Sequence, residues 1–301
     1  MIQKLITLAI SLLILAAIYY KIDLVHLRNV LANAEPRFLF ISLSLVVPLT
    51  MLTAWRLQIL APARAHIDFA EANRLILVAS VLNMVLPSKM GDIAKAWFMR
   101  SEKARSSLTL SLVIFEKTAD MLSLLFWCAL GLLFYPRKDA IFWTLTAAVI
   151  GGFIFGIALL ASRNLAGLVF KIDRARKLAA GWKEMQEFFW SNKQRLFVVS
   201  TMSIFIWFLH LLQIWLFIFT LRASAPFIAN LGLAPLALLA GLLPLTFAGI
   251  GTRDAAFIFL YRPYFAAPVA AALGILCTAR YLIPAVAGLP FLHRYLVRMR
   301  T

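Results

Sequence analysis

The stretch Asn83-Met84-Val85-Leu86-Pro87-Ser88-Lys89-Met90-Gly91-Asp92-Ile93-Ala94-Lys95 decides how this chain is read. An apolar run reaches it and stops. Pro87 has no amide hydrogen and interrupts a helical ladder, and Gly91 frees the backbone beside it. Lys89, Asp92 and Lys95 then place charge where an apolar segment was running. A second stretch repeats the pattern: Leu243-Pro244-Leu245-Thr246-Phe247-Ala248-Gly249-Ile250-Gly251-Thr252-Arg253-Asp254-Ala255. Paired hydrophobic segments interrupted by Gly and Pro in the two halves of a membrane chain point to a binding site between them. Pro87, Gly91, Pro244, Gly249 and Gly251 are therefore read as backbone breaks that face each other near the bilayer midplane.

Composition sets the class. The chain of 301 residues is 63% hydrophobic, with a mean hydropathy of +0.88. Soluble domains are roughly 45–50% apolar, so this is an all-α integral membrane protein, expected as one polytopic domain over 1–301. The net charge of +17 sits in loops and at segment ends. Topology and anionic lipid account for it better than nucleic acid does, and no basic-aromatic platform for single strands is present. Cys128 and Cys277 lie in apolar runs and read as small hydrophobes. The four histidines show no ligand spacing, and neither a metal nor a cofactor is expected. No Gly-x-x-x-x-Gly-Lys-Ser/Thr run is present for a nucleotide.

Read in order, the hydropathy gives a retained first helix over about 4–20, a polar linker over 21–36, and a span over 37–60. The apolar run 75–86 is too short to cross the roughly 20-residue core and ends at the first break. A short basic amphipathic helix is expected over 92–105, then spans over 108–135 and 140–161. The loop 162–195 carries eight basic residues. Within it Leu178, Trp182, Met185 and Phe189 recur at helical spacing, which suggests a helix lying on the membrane surface. A span follows over 196–221, then apolar 231–247 to the second break, a short piece over 253–261, and a last span over 268–293.

The expected total is about six transmembrane helices and two re-entrant hairpins. With the N-terminus inside, 18 Lys and Arg residues fall on the cytoplasmic side and 7 on the other. That bias places both termini in the cytoplasm and the loop 162–195 with them. Each half then reads helix, helix, break, helix, entering from opposite faces. This is the logic of an inverted repeat, with one unit over about 1–135 and the other over about 140–301.

Ionisable residues inside apolar helices cost about 2.5–3.5 kcal/mol each on insertion scales and need partners or water. Glu116 and Asp120 are four apart and share one helix face. Arg280 lies mid-span, a natural partner for Glu116 or Asp120, or for a substrate phosphate, since the guanidinium fork suits either. Glu116 and Asp120 serve equally well as structural counter-ions to Arg280 and Lys117. His210 and Gln213, one turn apart, read as interhelical hydrogen-bonding residues, and Arg56 as an interfacial residue. Candidate substrate-binding residues are Asn83, Lys89, Asp92, Lys95, Glu116, Asp120, Arg253, Asp254 and Arg280. No catalytic constellation is visible among them.

Taken together, Asn83, Leu86-Pro87, Lys89, Gly91-Asp92, Lys95, Glu116-Lys117, Asp120, Leu243-Pro244, Gly249, Gly251, Arg253-Asp254 and Arg280, in that order, resemble the transmembrane domain of the lysylphosphatidylglycerol synthase (flippase-like) family. The resemblance covers nearly the whole chain. It departs at Lys89, Lys95 and Lys117, where the family usually has arginine, and at Asp92 and Asp254, where it has glutamate. Charge sign is kept, but the planar fork is lost at the lysines.

Synthase members of that family carry a soluble aminoacyl-transferase domain after the membrane part, and this chain ends at Thr301. The resemblance therefore implies a stand-alone lipid-translocating half, in a bacterial or archaeal cell (inner) membrane, and no aminoacylation. The expected function is a lipid transporter or flippase. It would move a charged-head-group lipid, a phospholipid or a polyprenyl-phosphate-linked one, between leaflets. Lys89, Arg253 and Arg280 would hold phosphate. The expected partners are membrane lipids, anionic or phosphate-bearing, with no nucleic acid; a homo-oligomer stays open. A membrane-embedded transferase or hydrolase acting on a lipid phosphate, or a scaffold for a glycosyltransferase, are the alternatives.

Overall fold

Backbone amides in a bilayer have no water to bond, so long apolar segments must close their own ladder as helices. The computed structural model describes residues 20, 22–86, 90–100, 105–133, 138–161, 178–242 and 251–298. All regular structure among them is helical. The elements are α1 (Leu24–Ala32), α2 (Pro36–Ser44), α3 (Val46–Leu60), α4 (Phe69–Val85), α5 (Gly91–Phe98), α6 (Ser106–Leu133), α7 (Ala140–Ala161), α8 (Ala179–Trp190), α9 (Lys193–Thr220), α10 (Phe227–Ala240), α11 (Thr252–Leu260), α12 (Ala267–Ala279) and α13 (Leu282–Arg298), with a 3₁₀ turn at Ala63–Ala65. The expected first helix, the tips of both breaks with Pro87, Lys89, Pro244 and Gly249, and loop residues 162–177 lie outside the described residues.

Among the described residues, four helical stretches are long and apolar enough to cross a membrane: Pro36–Leu60, Phe142–Ala161, Lys193–Thr220 and Ala267–Tyr295. Helix α6, with 28 residues, has the length to span but carries Glu116, Lys117 and Asp120 within it. Two of the expected continuous spans are broken by proline. Pro48 has no amide to give the Ser44 carbonyl, and its ring crowds that carbonyl. The helix accordingly ends at Ser44 and restarts at Val46. Pro284 stands in the same relation to Arg280, and the last span breaks at Arg280 and Tyr281.

Other boundaries moved for local reasons. The linker 21–36 contains α1, started by Asp23, whose carboxylate accepts from the His26 amide at 2.9 Å. The short run 75–86 extends back to Phe69 because Asp68 caps the helix, accepting from the Glu71 amide at 2.6 Å. An aspartate at the N-cap satisfies an amide that the helix leaves open.

Packing forms two large cores, with a smaller one of Leu125, Cys128, Leu132, Phe142 and Val149 between α6 and α7. The first gathers apolar side chains of α3, α4, α5, α6 and α8, among them Leu57, Leu75, Phe98, Leu112 and Trp182. The second gathers α1, α9, α10, α11 and α12, among them Leu27, Phe217, Ala234, Phe257 and Leu273. The ends of the chain cross between them. Helix α13 packs on α4, where Gly288 lies against the Leu77 carbonyl, and α1 packs on α12. Helices α6 and α10 cross at Gly131 and Gly232, whose backbones touch. Small residues at such crossings let helix backbones approach closely.

One expectation is corrected outright. The helical spacing of Leu178, Trp182, Met185 and Phe189 suggests that α8 lies on the membrane surface. Instead Trp182, Met185 and Phe189 are buried inside the protein, and Phe115 of α6 packs on the Trp182 and Phe189 rings. Gly181 lies against the Ser107 carbonyl and brings α8 onto α6. An apolar stripe at helical spacing is satisfied equally by lipid or by a neighbouring helix, and here the helix takes it.

The order helix, helical hairpin, helix occurs twice: α3, α4/α5, α6, and α9, α10/α11, α12. Each hairpin is tightened by glycine. Gly91 sits against Ala79 and Asn83 of α4, where an added Cβ would come within 2.6 Å of the Asn83 nitrogen. At Gly241 an added Cβ would meet Arg253 Cβ at 2.9 Å. Gly251 has a φ of 105°, a conformation that favours glycine.

Candidate functional site

Helix α9 runs between the two halves and carries Ser203, Trp207, His210 and Gln213. Steps of four, three and three keep these residues on one face. Over ten residues that face rises roughly 15 Å at 1.5 Å per residue, about half of a hydrocarbon core of roughly 30 Å. The buried charges Arg56, Asp120 and Arg280 bond to this stripe.

At one end, Arg56 of α3 is buried and donates from Nη1 to Asp120 at 2.6 Å and to Ser203 Oγ at 3.0 Å. Its Nη2 reaches Glu116 at 3.3 Å. Lys95 of α5 bonds Glu116 at 2.8 Å and lies 3.5 Å from Asp92. Lys117, partly exposed, lies 3.1 Å from both Asp92 and Asp120. Trp207 donates its indole N–H to Asp120 at 3.1 Å. The cluster is three cations against three carboxylates, with no net charge. A buried carboxylate or cation left single costs several kcal/mol, and this alternation leaves none single. It also clamps the α5 arm of the first hairpin to α6.

The second cluster sits at the start of α11. Arg253 donates to Asp254 from Nε at 3.0 Å and from Nη2 at 2.8 Å. Nη2 also reaches the Gly274 carbonyl at 3.0 Å and Thr278 Oγ1 at 2.6 Å. Asp254 turns back to accept from the Gly251 amide at 3.2 Å, which caps the helix. Gly274 leaves room for this pair, since a Cβ there would meet the Asp254 Oδ1 at 2.5 Å. Arg253 is therefore paired with its own neighbours in this structure.

Arg280 stands apart. The sequence offers it Glu116, Asp120 or a substrate phosphate as partner, and both carboxylates belong to Arg56, Lys95 and Lys117. Arg280 Nη1 donates to Gln213 Oε1 at 2.8 Å and Nη2 to the Tyr281 hydroxyl at 3.1 Å. Its Nε has no hydrogen-bond partner among the described residues. Among the buried cations described, Arg56, Lys95 and Arg253 each have a carboxylate within 4.0 Å, and Arg280 has none. Gln213 does two jobs, donating from Nε2 to the Ser42 carbonyl at 2.6 Å while holding Arg280. It thereby ties the Pro48 break to the Pro284 break. Between these breaks lies a cavity of about 130 Å³ bordered by Thr50, Thr53, Ser80, His210, Gln213 and Arg280. A larger, open hollow of about 440 Å³ lies at the far end, lined by residues of α1 with Leu221 and Arg222, and no buried charge faces it.

Of the expected site residues, Asp92, Lys95, Glu116 and Asp120 come together, Arg253 joins Asp254, and Arg280 has a separate cavity. Asn83 lies beside Gly91 and bonds none of these ions; its Oδ1 is buried with no hydrogen-bond partner among the described residues. Lys89 lies outside the described residues. Arg56 is the residue sequence reasoning misplaced: expected at the interface, it is 1% exposed at the centre of the first cluster. Its signal was present, since it is an arginine inside the apolar run 46–60. Ser203 and Trp207 carry no signal of their own. The reading of Gln213 as an interhelical bonding residue holds. No group of three or more His, Cys, Asp or Glu among the described residues is placed to hold a metal.

Residues 4–288 match the family described as the lysylphosphatidylglycerol synthase TM region. The "UPF0104 membrane protein" of Methanocaldococcus jannaschii is 24% identical over 318 aligned positions, covering 94% of this chain and 92% of that protein. The chain belongs to the lysylphosphatidylglycerol synthase transmembrane-region family.

Proposed function

We propose that this protein is a transporter, and not an enzyme, that moves a lipid with a charged head group between the leaflets of a cell membrane. The observation that carries the reading is the polar stripe of α9. It joins an ion cluster to an open cavity across about half a bilayer, inside a protein whose long helices expose apolar side chains such as Met51, Trp143, Ile154 and Phe205. Such a stripe lets a polar head group travel through the protein while its acyl chains stay in lipid. In this reading the α4/α5 and α10/α11 hairpins are re-entrant and enter from opposite faces. The two units form an inverted repeat, the termini are cytoplasmic, and the membrane is the inner one. The two clusters hold the hairpin arms, since their cations are matched internally.

The test is a translocation assay in proteoliposomes with fluorescent head-group-labelled lipids and an impermeant quencher. Purified protein should raise the fraction of lipid that changes leaflet per minute at least ten-fold over empty vesicles. No transfer of any charged-head-group lipid, by protein that elutes as a single folded species, refutes the reading. A chemically altered lipid product would replace it with an enzyme.

A further inference from the structure

Among the described residues, Arg280 is the buried cation with no carboxylate within 4.0 Å. A single intramembrane arginine costs several kcal/mol unless something compensates it, and this protein compensates its other described buried cations with carboxylates. Gln213 and the Tyr281 hydroxyl take two of the five guanidinium N–H groups. Nε–H has no partner among the described residues. Neither of those two acceptors is charged, so they orient the fork without neutralising it.

Three hydroxyls, of Thr50, Thr53 and Ser80, line the cavity beside it among the apolar side chains of Val46, Leu49, Ile76 and Pro284. Thr50, Thr53 and Ser80 donate to the carbonyls of Val46, Leu49 and Ile76 in their own helices at 2.7, 2.7 and 2.9 Å. Each keeps an acceptor lone pair and can turn its hydrogen toward a guest. The 130 Å³ is room for about four waters at roughly 30 Å³ each, which suits one tetrahedral anion with a short extension. No carboxylate lines it to receive an ammonium. The turns that form it also carry Val47, Leu282 and Ile283 exposed, which in a bilayer are positions for acyl chains.

We propose that the cavity between the Pro48 and Pro284 breaks is the receptor for the phosphate group of an anionic lipid. Arg280 supplies the binding charge and Gln213 holds its guanidinium in register, so that a net-negative head group is selected over a zwitterionic one. This rests on the lipid-transport reading for its context, but it concerns binding at equilibrium and is tested separately.

The experiment places the full chain in lipid nanodiscs and measures bound lipid by native mass spectrometry. The probes are phosphatidylglycerol, phosphatidic acid and phosphatidylcholine, with inorganic phosphate and glycerol 3-phosphate as soluble competitors. Wild type should retain the two anionic lipids at least ten-fold over phosphatidylcholine. Arg280→Gln should abolish that preference and Arg280→Lys should keep part of it, because the charge stays and the fork goes. Ser80→Leu fills the cavity without touching Arg280 and should also abolish it, so the test survives if Arg280→Gln does not fold. Equal retention of anionic and zwitterionic lipid by wild type, or an unchanged preference in Ser80→Leu, overturns the proposal. Displacement of the lipid by millimolar soluble phosphate would reassign the site to a free phosphate and overturn the lipid source. Selective binding without leaflet transfer would leave this inference standing and refute transport; transfer of all lipids alike, with no selective binding, would do the reverse.

Discussion

Removing Arg56 should unfold the first half of the protein more effectively than removing any exposed charge. The side chain is buried and makes three bonds, to Asp120, Glu116 and Ser203, at 2.6, 3.3 and 3.0 Å. Arg56→Met fills the space but leaves Asp92, Glu116 and Asp120 facing Lys95 and Lys117 alone. Breaking a buried pair by deleting one partner costs about 3–5 kcal/mol. At roughly 2 °C per kcal/mol, the low end for domains somewhat smaller than this one, the midpoint should fall by about 6 °C for a loss of about 3 kcal/mol. The assay is thermal unfolding in detergent, followed by tryptophan fluorescence; Trp207, bonded to Asp120, reports on the cluster directly. Adding Asp120→Asn rebalances the charge, and the double variant should recover about 0.5–3 kcal/mol of the loss, the usual coupling of contacting residues. Arg56→Lys should fall between, since one ammonium cannot serve both carboxylates as a fork does. Melting of Arg56→Met within about 0.5 kcal/mol of wild type, the range of an ordinary surface change, would show that the cluster does not hold the fold and refute the reasoning.

Gly131→Leu should prevent folding, or destabilise by more than about 4 kcal/mol, because its Cβ would overlap the Gly232 backbone; loss of the monodisperse peak in size exclusion checks it. Trp182→Ala should cost about 3–5 kcal/mol, since the ring is 1% exposed and packs on Phe115; an unchanged melting curve would return α8 to the membrane surface. Asp254→Ala strands Arg253 and removes the cap on the Gly251 amide, and should cost about 3–5 kcal/mol, measured as protease resistance in detergent. Gly251→Ala forces a side chain onto a φ of 105° and should cost about 1–3 kcal/mol, read by the same digestion.

How much of this was legible beforehand differs by residue. The apolar runs, the break before Gly91 and Asp92 and the break before Gly251 follow from local chemistry, and so does the α6 face that carries Glu116 and Asp120. The amide caps by Asp23 and Asp68 are also local, and an earlier start for α4 was readable from Asp68 three residues before Glu71. The kinks could have been read too, since Pro48 and Pro284 sit inside apolar runs and each must disturb the carbonyl four residues before it.

What a linear reading does not contain is which charge meets which. Arg56 and Arg280 are both arginines inside apolar segments, and pairing Arg280 with Glu116 or Asp120 was as sound chemically as the pairing found. The choice belongs to helix packing: α3 lies against α9 and beside α6, so Arg56 reaches the carboxylates first, while Arg280 faces Gln213 across the α9 surface. The stripe of α8 was equally ambiguous, because a row of apolar side chains does not say whether lipid or protein will cover it. The sequence by itself determined a membrane chain, its family, its main apolar segments and the breaks after Leu86 and before Gly251, since hydropathy and proline act over one or two turns. Tertiary structure decided the ion pairs, the burial of α8 and the unneutralised arginine, since opposite charges distant in sequence are matched only when the helices that carry them dock.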